Sequence, residues 1–322
     1  AAYHNTSIKS LALEVNPDLL PGTDNGLYVY HNDVTPLQHI IHDSRNIQSL
    51  TNNIIWNIFA DQEHNIWLGT DYGISLSRYN SALQFIPISQ ITGTGDGNQF
   101  YSLFRDSKGF YWFGGTNGLI RFTDPAGDKH NAIWYRMGDK TYPLSHNRIR
   151  HIYEDKEQQL WIATDGSINR YDYATRQFVH YNYVDSTGTY NTNWTYYMFE
   201  DNAGHLWIST CLGGIFVVDK HRLMQSASGQ YVAEQNYSVH NGLSGMFINQ
   251  IIPDNEGNVW VLLYNNKGID KINPRTREVT KLFADELNGE KSPNYLLCDE
   301  DGMLWVGFHG GSEVSATTRF CP

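Results

Sequence analysis

Short apolar runs alternate with polar turns along the whole chain. Residues 54–59 and 215–218 are two of these runs, and their apolar positions are mainly β-branched or aromatic. Gly, Asn, Asp and Pro stand between the runs, as is typical of strands that are joined by tight turns. No long stretch repeats its apolar residues at the spacing of an amphipathic helix. The pattern therefore predicts an all-β protein.

One segment of this pattern recurs along the chain. Six copies have an Asp six residues before a Trp, namely Asp61–Trp67, Asp106–Trp112, Asp155–Trp161, Asp201–Trp207, Asp254–Trp260 and Asp299–Trp305. A fainter copy has Glu14 and Leu20 at these places, and the Trp-equivalent positions 20, 67, 112, 161, 207, 260 and 305 lie 45–53 residues apart. This period is that of one propeller blade. The sequence thus predicts a seven-bladed β-propeller of four-stranded antiparallel blades, with residues 1–322 as a single domain.

The last repeat leaves few residues for a fourth strand, because only residues 319–322 follow its expected third strand. A propeller ring that is not closed leaves open strand edges. We expect residues 1–6 to pair with the last blade as its outer strand. The alternative is a last blade of three strands.

The Asp and the Trp of the repeat have structural interpretations. The Asp begins the turn between the first two strands, where a carboxylate accepts hydrogen bonds from turn amides. Three residues later most copies have Gly, which suits a left-handed turn, whereas His64 and Gln158 predict turns that are strained or differently shaped. The Trp is expected to fill the space between neighbouring blades. The alternating acidic ligands of a calcium loop are missing, so these turns predict no metal site.

The repeat resembles the two-component regulator propeller repeat. That family's pattern is an apolar strand, Asp, two variable residues, Gly, one variable residue, an aliphatic residue, Trp, another aliphatic residue and Gly-Thr. Segments 61–73, 106–119 and 201–210 are similar to it, and Asn241-Gly-Leu-Ser244 looks like the family's lead into a first strand. The resemblance covers essentially the whole chain.

In that family, propellers form the periplasmic sensor regions of hybrid histidine kinases, and many members respond to oligosaccharides. The resemblance therefore implies a periplasmic ligand-sensing fragment of an inner-membrane protein, which passes on a conformational signal. It implies an oligosaccharide ligand, with a second propeller or an immunoglobulin-like domain of the same protein as further partners. The kinase activity would belong to the full-length protein, so no enzymatic activity is expected of this fragment.

Charge and motifs narrow the function further. A net charge of −11 argues against nucleic acid and anionic membrane surfaces as partners, and three cysteines make no disulfide framework. The sequence contains no zinc-protease helix motif, nucleophile elbow or phosphate-binding loop. We therefore expect no catalytic residue, cofactor or metal. Two alternatives stay open: a propeller carbohydrate-active enzyme, either a lyase or a glycosidase, whose site is assembled from several blades, and a protein-interaction scaffold.

The candidate ligand site lies where the innermost strands begin, around the central channel. The residues five before each repeat Asp or its Glu14 equivalent vary in type: Lys9, Trp56, Tyr101, Arg150, Tyr196, Asn249 and Asn294. A packing role would favour one repeated type, so this variation favours ligand contact through aromatic faces and polar anchors. Trp194 and four residues from the loops between second and third strands, Asp71, Asn117, Asp165 and His309, are expected on the same face. The alternative for each residue is inner-strand packing or a solvated channel.

Overall fold

The computed structural model describes residues 6–13, 18–31, 36–79, 85–87, 99–123, 132–141, 143–190, 194–226, 230–264, 268–282 and 292–309. These residues form short antiparallel sheets arranged as blades, with a single short α-helix among them. The all-β prediction is confirmed.

The first three blades are regular four-stranded sheets. Blade 1 contains β1 (Ile8–Leu13), β2 (Asp18–Thr23), β3 (Gly26–His31) and β4 (Gln38–Ile40). Blade 2 contains β5 (Ile55–Ala60), β6 (Ile66–Thr70), β7 (Gly73–Ser77) and β8 (Phe85–Pro87). Blade 3 contains β9 (Phe100–Arg105), β10 (Tyr111–Gly115), β11 (Gly118–Phe122) and β12 (Ile133–Tyr135).

The next three blades are less uniform. Blade 4 contains β13 (Ile149–Glu154), β14 (Leu160–Thr164), β15 (Ser167–Asp172) and β16 (Gln177–Val184). Blade 5 contains β17 (Thr195–Glu200), β18 (His205–Thr210), β19 (Ile215–Asp219) and β21 (Gln235–Tyr237). Between β19 and β21 lie the helix α1 (Lys220–Gln225) and β20 (Gln230–Val232), which pairs in parallel with β16 as a fifth strand of blade 4. Blade 6 contains β22 (Ile248–Pro253), β23 (Val259–Leu263), β24 (Ile269–Asn273) and β25 (Glu278–Leu282).

The prediction of seven four-stranded blades is wrong, because the described residues form six blades. Within the described residues the last repeat forms a two-stranded hairpin, β26 (Ser292–Cys298) with β27 (Leu304–His309), which we call the closing hairpin. The reason for the error is that the Asp and the Trp both belong to the hairpin formed by the first two strands of a repeat. Counting them therefore counts inner hairpins and says nothing of the outer strands.

The closing hairpin stands between blade 6 and blade 1. Its strand β26 contacts β22 on one side and β1 on the other. The side-chain Nδ2 of Asn294 donates a hydrogen bond of 2.7 Å to the carbonyl oxygen of Ile8, and Leu297 and Trp305 pack against the buried core residues of β1 and β2. The ring is therefore closed through this hairpin. The predicted pairing of residues 1–6 cannot be compared, since residues 1–5 lie outside the described ranges.

The turns between the first two strands keep one shape in all copies that the structure describes. The amide of His64 bonds the carbonyl of Asp61, as the amide of Gly109 bonds that of Asp106. His64 and Gln158 have φ angles of 63° and 61°, in the same left-handed region as Gly109 at 85°. Both turns therefore carry the strain of a non-glycine residue at a left-handed φ angle. Their shape is the same as that of the turns with Gly.

The repeat Trp residues pack between neighbouring blades, as predicted. Trp161 of blade 4 is fully buried and lies in one apolar cluster with Met198, Leu206 and Ile208 of blade 5. Such clusters between adjacent sheets make the core of the ring, so each blade depends on its neighbours for burial of its apolar face.

Candidate functional site

Each innermost strand carries a β-bulge at the same place. In the pairing of β5 with β6, Ile55 lies opposite Thr70 and Asn57 lies opposite Gly69, so Trp56 has no partner in the ladder. The residues skipped in this way are Lys9, Trp56, Tyr101, Arg150, Tyr196, Asn249 and Asn294. A bulge re-aims its extra side chain, and a residue outside the ladder is free to vary in type. This is the physical origin of the variation seen in the sequence.

The seven bulged residues line one central cavity of about 1200 Å³. The cavity follows the innermost strands from these residues towards Phe104, Tyr153 and Glu200 near the other end of the strands. We call the ring of seven bulged residues the channel mouth. The structure therefore brings together the largest set of residues that the sequence singles out.

Asp71 ties two aromatic side chains of the channel mouth in place. The indole nitrogen of Trp56 donates a hydrogen bond of 3.0 Å to Asp71. The side-chain amide of Gln99 donates to the same carboxylate oxygen and accepts a hydrogen bond from the hydroxyl of Tyr101. The rings of Trp56 and Tyr101 meet edge to face, with centroids 5.4 Å apart. The polar atoms of both rings are thus bonded within the protein.

Arg150 forms a bidentate pair with Asp165 beside these rings. Its Nε and Nη2 atoms lie 2.6 Å and 3.1 Å from the two carboxylate oxygens. The guanidinium carbon lies 4.5 Å from the ring centre of Tyr196 and 5.9 Å from that of Tyr101. Burial by itself lowers the pKa of Arg150, but the hydrogen bonds that it donates to Asp165 raise its pKa above the usual value, so the side chain stays charged and paired.

Two further aromatic residues extend this row. Tyr196 contacts Phe247 with ring centres 5.3 Å apart, and Phe247 stacks on Tyr264 at 4.5 Å. The sequence analysis does not single out either Phe247 or Tyr264. A signal was present, since Phe247 stands seven residues before its repeat Asp, as Trp194 does. Tyr264 stands fifteen residues after its bulged residue, as Asp71 and Asp165 do.

Lys9 and two amide side chains complete the channel mouth, and Nζ of Lys9 lies 5.2 Å from the ring centre of Trp56. The side chain of Asn249 donates to the carbonyl of Asn294 at 3.4 Å, and the side chain of Asn294 donates to the carbonyl of Ile8. One side of the mouth thus offers ring faces and the other offers amide groups. Burial raises the pKa of both Tyr101 and Tyr196, so these hydroxyls stay protonated at neutral pH.

The other predicted site residues lie outside this arrangement. Trp194 is 47% exposed and does not line the cavity, although its carbonyl accepts a hydrogen bond from the amide of Cys211. Asn117 is exposed at the turn between β10 and β11, where its carbonyl accepts from Arg136. His309 ends β27, and its side chain lies outside what the structure describes.

A second layer of side chains lies one residue further along each innermost strand. His151 stacks on Tyr197 with ring centres 3.7 Å apart. Its Nδ1 accepts a hydrogen bond from the amide of Met198 in the next blade. Burial lowers the pKa of His151 to about 3, so this imidazole is neutral at physiological pH and serves as a hydrogen-bond acceptor.

The described residues contain neither a cluster of metal ligands nor a helix suited to a membrane. Among the residues that the structure describes, no three His, Cys, Asp or Glu side chains lie close enough together to hold a metal ion. The described part of the chain also contains no helix with the length and apolar character that a membrane crossing requires.

Comparison with known proteins supports the resemblance seen in the repeats. The family model for the two component regulator propeller matches residues 49–72, 94–117 and 143–166. A curated relative, Histidine kinase P4 of Formosa agariphila, is 26% identical over 185 residues, which cover 52% of this chain and 12% of that protein. The resemblance is confirmed, since these three segments match the family model of the repeat.

Solved structures agree with this assignment. The extracellular domain of a protein named as a hybrid two component system from B. thetaiotaomicron is 93% identical, with a TM-score of 0.68 over 96% of this chain and 42% of that chain. A second such extracellular domain from B. thetaiotaomicron is 21% identical, with a TM-score of 0.75 over 95% of this chain and 38% of that chain. The chain thus spans less than half the length of these relatives. At 93% identity, this chain closely resembles part of an extracellular domain of such a system.

A lyase also shares the fold. Virginiamycin B lyase from Staphylococcus aureus is 11% identical, with a TM-score of 0.67 over 96% of this chain and 94% of that chain. At that identity the likeness shows the propeller fold alone and carries no argument for lyase chemistry.

Proposed function

We propose that this chain is the ligand-sensing propeller of a hybrid two-component sensor histidine kinase and that it binds an oligosaccharide at the channel mouth. The observation that carries the proposal is the convergence of seven bulged side chains, one from each innermost strand, on one cavity. In this proposal residues 1–322 form one propeller domain in the periplasm. A second propeller or an immunoglobulin-like domain of the same protein receives the conformational signal.

The chemistry of the channel mouth suits a sugar. Pyranose rings have apolar C–H faces and polar edges, so they need flat aromatic partners together with hydrogen-bonding groups. Trp56, Tyr101 and Tyr196 offer ring faces, and Asn249 and Asn294 offer amides. The net charge of −11 opposes polyanionic ligands by long-range repulsion.

A calorimetric screen against glycan fragments, with analysis of the same mixtures for new products, tests this proposal. We expect binding without turnover. Tyr196→Ala should weaken binding by about 1–3 kcal/mol, equal to roughly five- to 150-fold, because one stacking face is lost. Tyr79→Ala is the matched control, since Tyr79 is half exposed and contacts His64 at the opposite end of blade 2. Unchanged affinity in Tyr196→Ala would move the site elsewhere, and released products would favour the enzyme alternative.

A further inference from the structure

A continuous row of contacting flat groups follows the channel mouth and extends beyond it to two further residues that line the same cavity. Its members, which we call the stacking row, are Trp56, Tyr101, Arg150, Tyr196, Phe247 and Tyr264. Neighbouring members lie 5.4, 5.9, 4.5, 5.3 and 4.5 Å apart, measured between ring centres or from the guanidinium carbon to a ring centre. The row extends over blades 2 to 6, so it offers several adjoining surfaces and not one isolated platform.

Two carboxylates hold three members of the row in place. Asp71 accepts from Trp56 and, through Gln99, fixes the hydroxyl of Tyr101. The carboxylate of Asp165 accepts hydrogen bonds from both Nε and Nη2 of Arg150. Each of these three side chains has a polar end that is bonded inside the protein. Pre-ordering of this kind lowers the conformational entropy that a ligand must overcome when it binds.

The pairing with Asp165 decides what Arg150 can do. The side chain of Asp165 is 5% exposed and that of Arg150 is 18% exposed, so the ion pair is largely removed from water. A guanidinium whose carboxylate partner is already in place is less available to bind a ligand anion. Its planar face still stacks, which an ammonium group cannot do.

We propose that the stacking row recognises several adjoining sugar units of one oligosaccharide, with Asp165 as the positioning residue that holds Arg150 as a flat plate between Tyr101 and Tyr196. This inference rests on the proposed function and adds the size of the ligand to it. A single sugar covers one or two members of the row, whereas a longer chain covers more of them. Affinity must therefore grow with chain length.

The experiment measures the dissociation constant of the whole 322-residue chain for linear oligosaccharides of graded length. The probes are gluco-, galacto-, xylo- and arabino-oligosaccharides of about one to six units. For a backbone that binds, we expect a rise in affinity of roughly three- to tenfold for each added unit until the row is covered. Affinity that is the same from the monosaccharide upwards would overturn the inference and leave the proposed function standing. If no member of the panel binds the wild-type chain, the proposed function fails and takes the inference with it.

Two variants test the role of Asp165. Asp165→Asn weakens the grip on Arg150, and Arg150→Lys keeps the charge but removes the flat plate. In both variants, affinity should increase less with ligand length. The ratio of the affinities for long and short ligands should fall by roughly three- to tenfold, which is the gain expected from one sugar unit. The ratio is the readout because a general loss of folded protein lowers the apparent affinity for all lengths alike. Full length dependence in Arg150→Lys would show that charge suffices and would overturn the plate role.

Asp172→Asn is the matched control. Asp172 lies in the same blade at the far end of β15, where its carboxylate accepts from the amide of Ala174. The substitution is chemically identical but remote from the stacking row. It should leave both the affinity and its length dependence unchanged, and flattening in this variant would mean that any perturbation of blade 4 mimics the loss of Asp165.

Discussion

The carboxylate of each repeat Asp uses its two oxygens for different purposes, as Asp155 shows. One oxygen accepts hydrogen bonds from the amides of Glu157 and Gln159 in the turn, and the other accepts from the indole nitrogen of Trp161 at 2.9 Å. The same indole-to-carboxylate bond recurs in the other five copies of the motif. The constant six-residue offset therefore exists because one hairpin must bring these two side chains together. Sequence analysis predicts the turn role of the Asp and the packing role of the Trp but misses the bond between them.

Removal of Trp161 separates packing from hydrogen bonding. Trp161→Ala should lower the free energy of unfolding by about 3–5 kcal/mol, because a large buried ring is lost between blades 4 and 5. Trp161→Phe keeps most of the ring contact and loses only the bond to Asp155, which retains Lys220 at 3.3 Å. Its cost should be nearer 1 kcal/mol. Urea unfolding of both variants measures the difference, and equal losses would mean that the indole bond, not the packing, carries the stability.

The innermost strands have an edge towards the channel that pairs with no further strand. Side chains of the preceding blade accept hydrogen bonds from backbone amides on this edge. The acceptor is the residue directly after the bulged one: Asn57 for the amide of Leu103, Ser102 for that of Ile152, His151 for that of Met198 and Gln250 for that of Leu296. An amide without a strand partner must find another acceptor when it is buried. The bulge and the acceptor beside it thus act as one element. The bulged residue faces the channel, and the residue after it accepts a hydrogen bond from the next blade.

His151 makes this element sensitive to pH. Its pKa is about 3 in the folded protein and about 6.5 in an unfolded chain. The unfolded state therefore binds more protons between these values, and stability falls as the pH drops through that window, by up to about 1.4 kcal/mol per pH unit from this residue. His151→Gln copies the side chain that Gln250 uses for the same bond and does not titrate. Its urea-unfolding stability should decline less than that of the wild type between about pH 6.5 and pH 4, and equal slopes would contradict a neutral buried His151.

At the scale of the whole molecule, the sequence predicts the features that depend on a single hairpin. It does not predict the features that depend on contacts between neighbouring blades. The Asp-to-Trp spacing identifies the first two strands of every repeat, and variation at the bulge identifies the channel mouth. The parallel strand β20 depends on the edge of blade 4, which its own short sequence does not encode. The contact of Phe247 with Tyr196 likewise joins two blades, so no single repeat reveals it.

The closing hairpin meets blade 1 through the same close contact that joins other blades. A Cβ atom added at Gly307 would lie 2.6 Å from Cγ2 of Ile8, and one added at Gly114 would lie 2.4 Å from Cγ2 of Ile149. These glycines let the innermost strand of the next unit approach closely. A substitution at Gly307 therefore tests the contact between the closing hairpin and blade 1, which we call the seam. A substitution at Gly114 tests an ordinary junction, between blades 3 and 4.

A double-mutant cycle at the seam tests whether the ring closes in solution as the structure shows. Gly307→Ala should lower the free energy of unfolding by about 1–3 kcal/mol, because its methyl group collides with Ile8. Ile8→Ala also destabilises, but it opens the space that the new methyl group needs, so the double variant should be more stable than the sum of the single losses by about 1 kcal/mol or more. The pair Gly114→Ala and Ile149→Ala is the control and should couple in the same sense. Coupling in the control pair with none at the seam would mean that the hairpin does not dock on blade 1, and that the ring is held by its six blades alone.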